Sequence, residues 1–198
     1  MDHAAYFEYL RGRSRLALAY RRLYLYPRLA RYLHGRVLDV GCGIGDLLAF
    51  LPGSVGVEVI PEAVVWCQKQ GLDVRQSSPE RLPFDAAGFD SVMLDNVLEH
   101  IAEPSALLGE IRRVLASGGT LVVGVPGERG FASDPDHKVH YDEARLRSAL
   151  EAAGFRTEHM LHVPWRARWL SRQLPQYCIY GIFRRTGSQG SPAPRVDK

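Results

Sequence analysis

The stretch Val37-Leu-Asp-Val-Gly-Cys-Gly-Ile-Gly-Asp-Leu-Leu48 decides how the chain reads. Val37 to Val40 is a short apolar run of strand type, Gly41, Gly43 and Gly45 follow at alternate positions, and a helix is predicted from about Gly45 to Leu51. Glycines at a strand-to-helix turn let the backbone bend tightly and let a ligand approach where a Cβ would obstruct it. The spacing differs from the dinucleotide fingerprint, which needs glycine at its first, third and sixth positions. Here the sixth is Asp46, and the third glycine arrives one step early at Gly45. That departure counts against NAD and FAD.

Working outward, strands and helices alternate. Pro52 and Gly53 stop the first helix before the strand Val55 to Val59, and Pro61 opens a second helix that ends at Gly71. Leu72 to Arg75 and Phe89 to Leu94 read as the third and fourth strands. Pro104 starts a helix with Leu107, Leu108, Ile111, Val114 and Leu115 on one face, Ser117-Gly118-Gly119 terminates it, and Thr120 to Val125 is the fifth strand. Asp142 caps a helix with Leu146, Ala149, Leu150 and Ala153 facing inward. Strands near Arg156 to Val163 and Tyr177 to Phe183 complete the sheet. The pattern predicts an α/β fold, a mostly parallel, doubly wound sheet of seven strands with helices on both faces. Before it, Leu16, Tyr20 and Leu23, then Leu25, Leu29 and Leu33, predict two short helices interrupted at Pro27. The organisation is therefore one domain over 1–185, with a helical extension over 1–35 and a core over 36–185. The Gly-, Ser- and Pro-rich 186–198 is expected to be disordered.

Composition sets the outer limits. Of 198 residues, 46% are hydrophobic and 24% charged, which suits one globular core. No apolar run approaches the roughly 18 to 20 residues of a membrane span, and the first residues lack a signal peptide's apolar centre, so a cytoplasmic location is expected. Cys42, Cys67 and Cys178 are too few and too scattered for a disulfide framework or a zinc knuckle. Charge is uneven: residues 1–36 carry eight arginines against Asp2 and Glu8, so the front is net +6 and the remainder −3. A basic front suits an anionic acceptor, a peripheral contact with a lipid surface, or nucleic acid, and it is equally the pattern of a solvated helix face.

The glycine loop resembles motif I of class I S-adenosylmethionine-dependent methyltransferases, whose D/E-x-G-x-G-x-G is matched by Asp39, Gly41, Gly43 and Gly45. SSPERLPF, FDSVMLDNVLEH, LLGEIRRVLASGGTLVVGVP and LEAAGF resemble, in order, further blocks of the small-molecule branch known as type 11, so that the likeness runs from Val37 to Phe155. The resemblance implies a Rossmann-like fold, S-adenosylmethionine as cofactor and methyl transfer as the activity. It places Asp39, Gly41, Cys42, Gly43 and Gly45 near the methionine part of the cofactor and Glu58 and Val59 at its ribose. Ser78 and Glu80 fall beside the adenine, and Asp95 and Asn96 at the mouth after the fourth strand. Ser78 stands where the family often has Asp, replacing a carboxylate contact to the adenine amino group by a hydroxyl.

Two histidine groups suit a proton acceptor. Asn96-Val97-Leu98-Glu99-His100 resembles the Glu-x-x-Glu-His segment of ubiquinone-pathway O-methyltransferases, where the acids and histidine are associated with a divalent metal. With Asn96 in place of the first acid, a hard-cation site loses an anionic ligand, so no tightly bound metal is expected. His100 and, in the loop DPDHKVHYDE, His137 are the candidate bases, His137 preferred because relatives often carry a histidine there. Arginine forks suit phosphates and the tyrosines near them suit sugar rings, so the expected acceptor is a hydroxyl of a small polar or anionic molecule such as a sugar, a glycan end or a lipid-linked sugar. The alternatives are a quinone precursor, a nucleic acid, or cofactor binding without catalysis. Leu94-Asp95-Asn96-Val97 lacks the Asn-Pro-Pro-Tyr of exocyclic-amine methyltransferases, which argues against nucleic acid.

Overall fold

The computed structural model describes residues 3–78 and 80–187, so the expected disordered tail lies outside the described residues from position 188 onward. Seven strands form one sheet: β1 (Val37–Val40), β2 (Val55–Glu58), β3 (Val74–Gln76), β4 (Phe89–Asp95), β5 (Leu115–Pro126), β6 (Phe155–Val163) and β7 (Cys178–Arg185). Their order is β3-β2-β1-β4-β5-β7-β6. The first five pair in parallel, and β7 runs antiparallel to both of its neighbours, β5 and β6. The order reverses beside β1, and in doubly wound sheets a ligand crevice forms there, beyond the carboxyl ends of the strands.

Nine α-helical segments accompany the sheet among the described residues: α1 (His3–Arg11), α2 (Arg15–Tyr20), α3 (Tyr26–Leu29), α4 (Asp46–Phe50), α5 (Pro61–Lys69), α6 (Ser105–Val114), α7 (Glu128–Ala132), α8 (Glu143–Ala152) and α9 (Arg168–Gln173). The buried stripe of α6 and Leu146 and Leu150 of α8 pack against Val92, Leu94 and Leu121 of the sheet. As expected, Asp142 caps α8, its carboxylate accepting from the Arg145 N–H at 2.8 Å. On the other face, Leu25, Tyr26, Leu29 and Leu33 pack against Val37, Met93, Val122 and Tyr180. The N-terminal extension thus supplies part of the second helical layer.

Several local expectations shift. The extension has three α-helices among the described residues, and Pro27 does not break it: α2 continues through a π-helical turn, Arg21–Leu25, into α3, with Pro27 in the first turn of that segment. Leu16 and Leu23 are exposed, 84% and 80%, so their spacing does not mark a buried stripe. Ser117-Gly118-Gly119 lies inside β5, where the register against β4 jumps from Leu115 to Thr120 and Gly118 takes φ +70°. The glycines bulge a strand out and do not serve as a helix stop. Short α7 and α9 carry too few residues for a periodic signal.

Candidate active site

The carboxyl ends of β1, β2 and β4 open into a cavity of about 330 Å³, within the range of cofactor pockets. Asp39 to Gly43 form one side, Glu58 to Ile60 with Ser77 and Ser78 another, and Asp95 to Val97 a third. Tyr6 and Leu10 of α1, with Arg13, Arg21 and Tyr26, close it from the N-terminal extension. Asp39, Gly41, Cys42, Gly43, Glu58, Val59, Ser78, Asp95, Asn96 and His100 therefore share one cavity. Gly45, Glu80 and His137 are not on its wall. Gly45 has φ +82°, and a Cβ there would stand 2.4 Å from Leu72 Cδ1 and 3.1 Å from Cys67 Sγ, so it seats the loop against α5 and its neighbours. Glu80 is exposed at the tip of a turn closed by the Ser78–Arg81 bridge, which carries it off the wall.

Glu58 is buried and organises the loop. Its Oε2 accepts from the Gly43 N–H at 2.8 Å, and its Oε1 accepts from the N–H groups of Val59 at 2.7 Å and Ile60 at 3.1 Å. A carboxylate offers roughly four acceptor positions, so three backbone donors leave about one, on Oε2, for a ligand hydroxyl. Gly41 lies at φ +73°, where a Cβ would stand 2.5 Å from Val97 Cγ2; the glycine lets the loop pass under the segment after β4.

The cavity is acidic. Asp39 is buried, and burial, then the nearby Asp95 carboxylate, raises its pKa to about 8 although Arg21 opposes the shift. Asp95 is held on three sides: Arg21 donates to Oδ2 at 2.7 Å, and Tyr180 and Asn96 donate to Oδ1 at 2.9 Å each. Arg21 also donates to the Tyr26 hydroxyl at 2.8 Å. Burial works against the Arg21 charge, but Asp95 together with Tyr26 and Tyr180 outweighs it and keeps the guanidinium ionised. Asn96 sits at φ +55°, a left-handed conformation that asparagine tolerates better than most residues, and its N–H bonds the Gly124 carbonyl at 3.0 Å. Arg13 is likewise paired, with Asp46 at 2.9 Å. Both arginines facing the cavity are thus matched by carboxylates, which leaves Glu58, and Asp39 once it is ionised, in excess. Such a field fits a cofactor bearing a sulfonium and an ammonium, as S-adenosylmethionine does.

A second cluster sits at the mouth. Leu98–His100 forms a 3₁₀ turn after β4, and both the Lys138 and Val139 N–H groups bond the Glu99 carbonyl, at 2.8 and 3.1 Å, which clips the loop after α7 to that turn. His100 and His137 consequently meet, with ring centroids 4.6 Å apart. His137 stacks on Phe131, its Nδ1 lies 2.8 Å from the Phe131 carbonyl, and its Nε2 lies 3.7 Å from Glu99 Oε1. Glu99 is completely buried, and neither carboxylate oxygen has a hydrogen-bond partner. Burial raises its pKa to about 8 and, with His137 alongside, lowers that of His100. His100 lines the cavity, whereas His137 stands behind it.

Sequence reasoning missed Arg21, Tyr26 and Tyr180 as one set around Asp95. They come from a π-helical turn, α3 and β7, and only the charge pattern of the front hinted at the first.

A family model described as a methyltransferase domain matches residues 38–123. The chain is 33% identical over 152 residues to a "Probable S-adenosylmethionine-dependent methyltransferase" of Mycolicibacterium smegmatis, covering 70% of this chain but only 59% of that protein. It is 31% identical over 181 residues to the "Ubiquinone biosynthesis O-methyltransferase" of Xanthomonas oryzae, covering 74% of this chain and 75% of that one. A SAM-dependent methyltransferase from Archaeoglobus fulgidus superposes with a TM-score of 0.70 at 21% identity, covering 93% of this chain and all of that one, and so shares the fold. With the glycine loop, the braced Glu58 and the acidic cavity in their places, the chain belongs to the class I S-adenosylmethionine-dependent methyltransferases.

Proposed function

We propose that the protein methylates a hydroxyl oxygen of a small polar or anionic acceptor that enters the cavity between Tyr6 and His100. The observation that carries this reading is the position of His100: it is the histidine on the cavity wall, with His137 packed behind it. When bound, S-adenosylmethionine supplies an electrophilic methyl carbon and departs as the neutral thioether. The protein's part is positioning the acceptor oxygen in line, about 3 Å from that carbon, and accepting its proton as the C–O bond forms. His100 suits the second task, since its lowered pKa keeps the imidazole neutral near pH 7.

A sugar, a glycan end or a lipid-linked sugar is the first acceptor class, on the strength of the tyrosines and arginines of the extension. A phenolic quinone precursor is the second. Two observations favour it: Arg13 and Arg21 are already paired with acids, and the Xanthomonas relative carries the name of a ubiquinone-pathway enzyme. No helix among the described residues is long and apolar enough to cross a membrane, so a lipid-linked acceptor would be met at a surface. The test is transfer of label from S-adenosylmethionine to sugar nucleotides, lipid-linked glycans and catechol-type quinone precursors, with the product identified by mass. Methylation of a hydroxyl in any of these classes supports the reading. Cofactor binding without transfer to any of them would favour a binding protein instead.

A further inference from the structure

The N-terminal extension turns one side to the cavity and another outward. Arg21 and Tyr26 line the cavity, whereas Leu16 and Leu23, seven residues or about two helical turns apart, are 84% and 80% exposed. Each of these leucines follows an exposed arginine, Arg15 or Arg22. Arg15, Arg22 and exposed Arg28 form no ion pair among the described residues, unlike the arginines on the cavity wall. The fold thus leaves an apolar stripe uncovered beside positive charge that nothing inside the molecule balances.

A second exposed apolar group adjoins it. Trp165 and Trp169, in the connection from β6 to β7, are 59% and 56% exposed. Tyr24, next to Leu23, donates its hydroxyl hydrogen to the carbonyl of Pro164, next to Trp165, at 2.7 Å, so the two segments meet at that bond. Both lie at the cavity end of the sheet. β5 and β6 are each antiparallel to β7, so β6 runs parallel with β5 and delivers the connection beyond the carboxyl ends of the strands. Arg166 and Arg172 flank the tryptophans but are balanced by Glu143 and Glu128, at 3.0 Å each. The unbalanced charge of this face therefore comes from the extension.

We infer that Leu16, Leu23, Trp165 and Trp169, with Arg15 and Arg22, dock the protein on an anionic lipid surface. Tryptophan settles at headgroup level, leucine enters the boundary of the acyl chains, and arginine meets the lipid phosphates. Charge decides between this occupant and a second copy of the chain. A two-fold interface would set the same unpaired arginines of both copies into one patch, whereas an anionic leaflet neutralises them. No helix among the described residues is long and apolar enough to cross a membrane, so the contact is with the surface. The inference rests on the lipid-linked form of the proposed acceptor and names how it is reached: docking brings the cavity end of the sheet to the leaflet that carries it.

The test is co-sedimentation with vesicles of phosphatidylglycerol and phosphatidylcholine in equal parts, against phosphatidylcholine alone. Wild type should prefer the anionic vesicles about 30-fold, the effect of two arginines at the headgroups, and added salt should release it. Leu16→Ser with Leu23→Ser, and Trp165→Ser with Trp169→Ser, should each weaken binding about tenfold or more. Arg15→Gln with Arg22→Gln should remove the preference for anionic lipid. These side chains face solvent, so melting temperature and cofactor affinity should stay at wild-type values in all three variants. No sedimentation, equal sedimentation with neutral vesicles, or wild-type binding in all three variants would overturn the inference. So would a dimer, seen by sedimentation velocity, that the leucine variant dissociates in place of any vesicle binding. The two readings fail separately: vesicle binding without any methylated acceptor leaves the docking face standing, whereas methylation of a soluble sugar nucleotide by protein that binds no vesicle removes the docking face alone.

Discussion

Asp39 ties cofactor binding to pH. Burial and the Asp95 carboxylate hold its pKa at about 8 in the ligand-free protein. At pH 6 about 1% of it is ionised, and at pH 8 about half, which follows from the definition of the pKa. If the cationic cofactor binds the ionised form and brings that pKa back below about 6, affinity should rise about 50-fold between pH 6 and pH 8, roughly 2.3 kcal/mol, and then level off. Binding at pH 7 should release close to 0.9 proton from this group. The opposite sign holds for folding. With the folded pKa above the unfolded one, unfolding releases a proton between about pH 4 and 8, so this carboxyl makes the ligand-free protein less stable as pH rises through that window. The assay is calorimetric titration of S-adenosylmethionine across pH 6 to 8.5 in buffers of different ionisation enthalpy, on wild type and Asp39→Asn. The cofactor's own amino group titrates in the same region, so the difference between the two proteins isolates Asp39. An Asp39→Asn protein with the same pH profile and the same proton release as wild type would refute the reasoning.

Two further outcomes test the frame around the site. Arg21→Ala leaves the Asp95 carboxylate, 9% exposed, without its counter-charge, which should cost about 3 kcal/mol and lower the melting temperature by roughly 6 to 12 °C; an unchanged melting curve would mean that the pair does not hold the extension in place. Glu110, gripped by Arg113 at 2.6 and 2.7 Å, has its pKa lowered to about 2, chiefly by those hydrogen bonds. Its contribution is present above the unfolded value near 4.3 and is lost as pH falls toward 2, so Glu110→Gln should flatten the acid limb of a stability–pH curve and leave its slope near neutrality alone.

Much of this architecture is written locally. The glycine loop between a buried strand and a helix, the acid fifteen residues beyond Gly43 at the end of the next strand, and the capped α8 are short-range signals, and each stands where the sequence puts it. Other features depend on contacts between distant segments. β7 enters between β5 and β6 and brings Tyr180 to Asp95 across 85 positions, which no periodicity announces. Leu16 and Leu23 have the spacing of a buried stripe and yet face solvent. Glu99 and His100 read as one group and His137 as another; the backbone bonds from Lys138 and Val139 to the Glu99 carbonyl help bring them together. Gly45 and Glu80 fit the family pattern by position, yet one packs against Leu72 and the other points into solvent.

The central claim is that the loop braced by Glu58 is the S-adenosylmethionine site, and calorimetric titration of that cofactor into wild type, Glu58→Ala and Gly43→Val tests it most directly. Glu58→Ala removes a ligand acceptor and three backbone bonds at once, and Gly43→Val puts a branched side chain at a φ of +55° on the cavity wall. Each variant should weaken binding by about 1 to 3 kcal/mol, roughly 5- to 150-fold. Wild-type affinity in both variants would contradict the account.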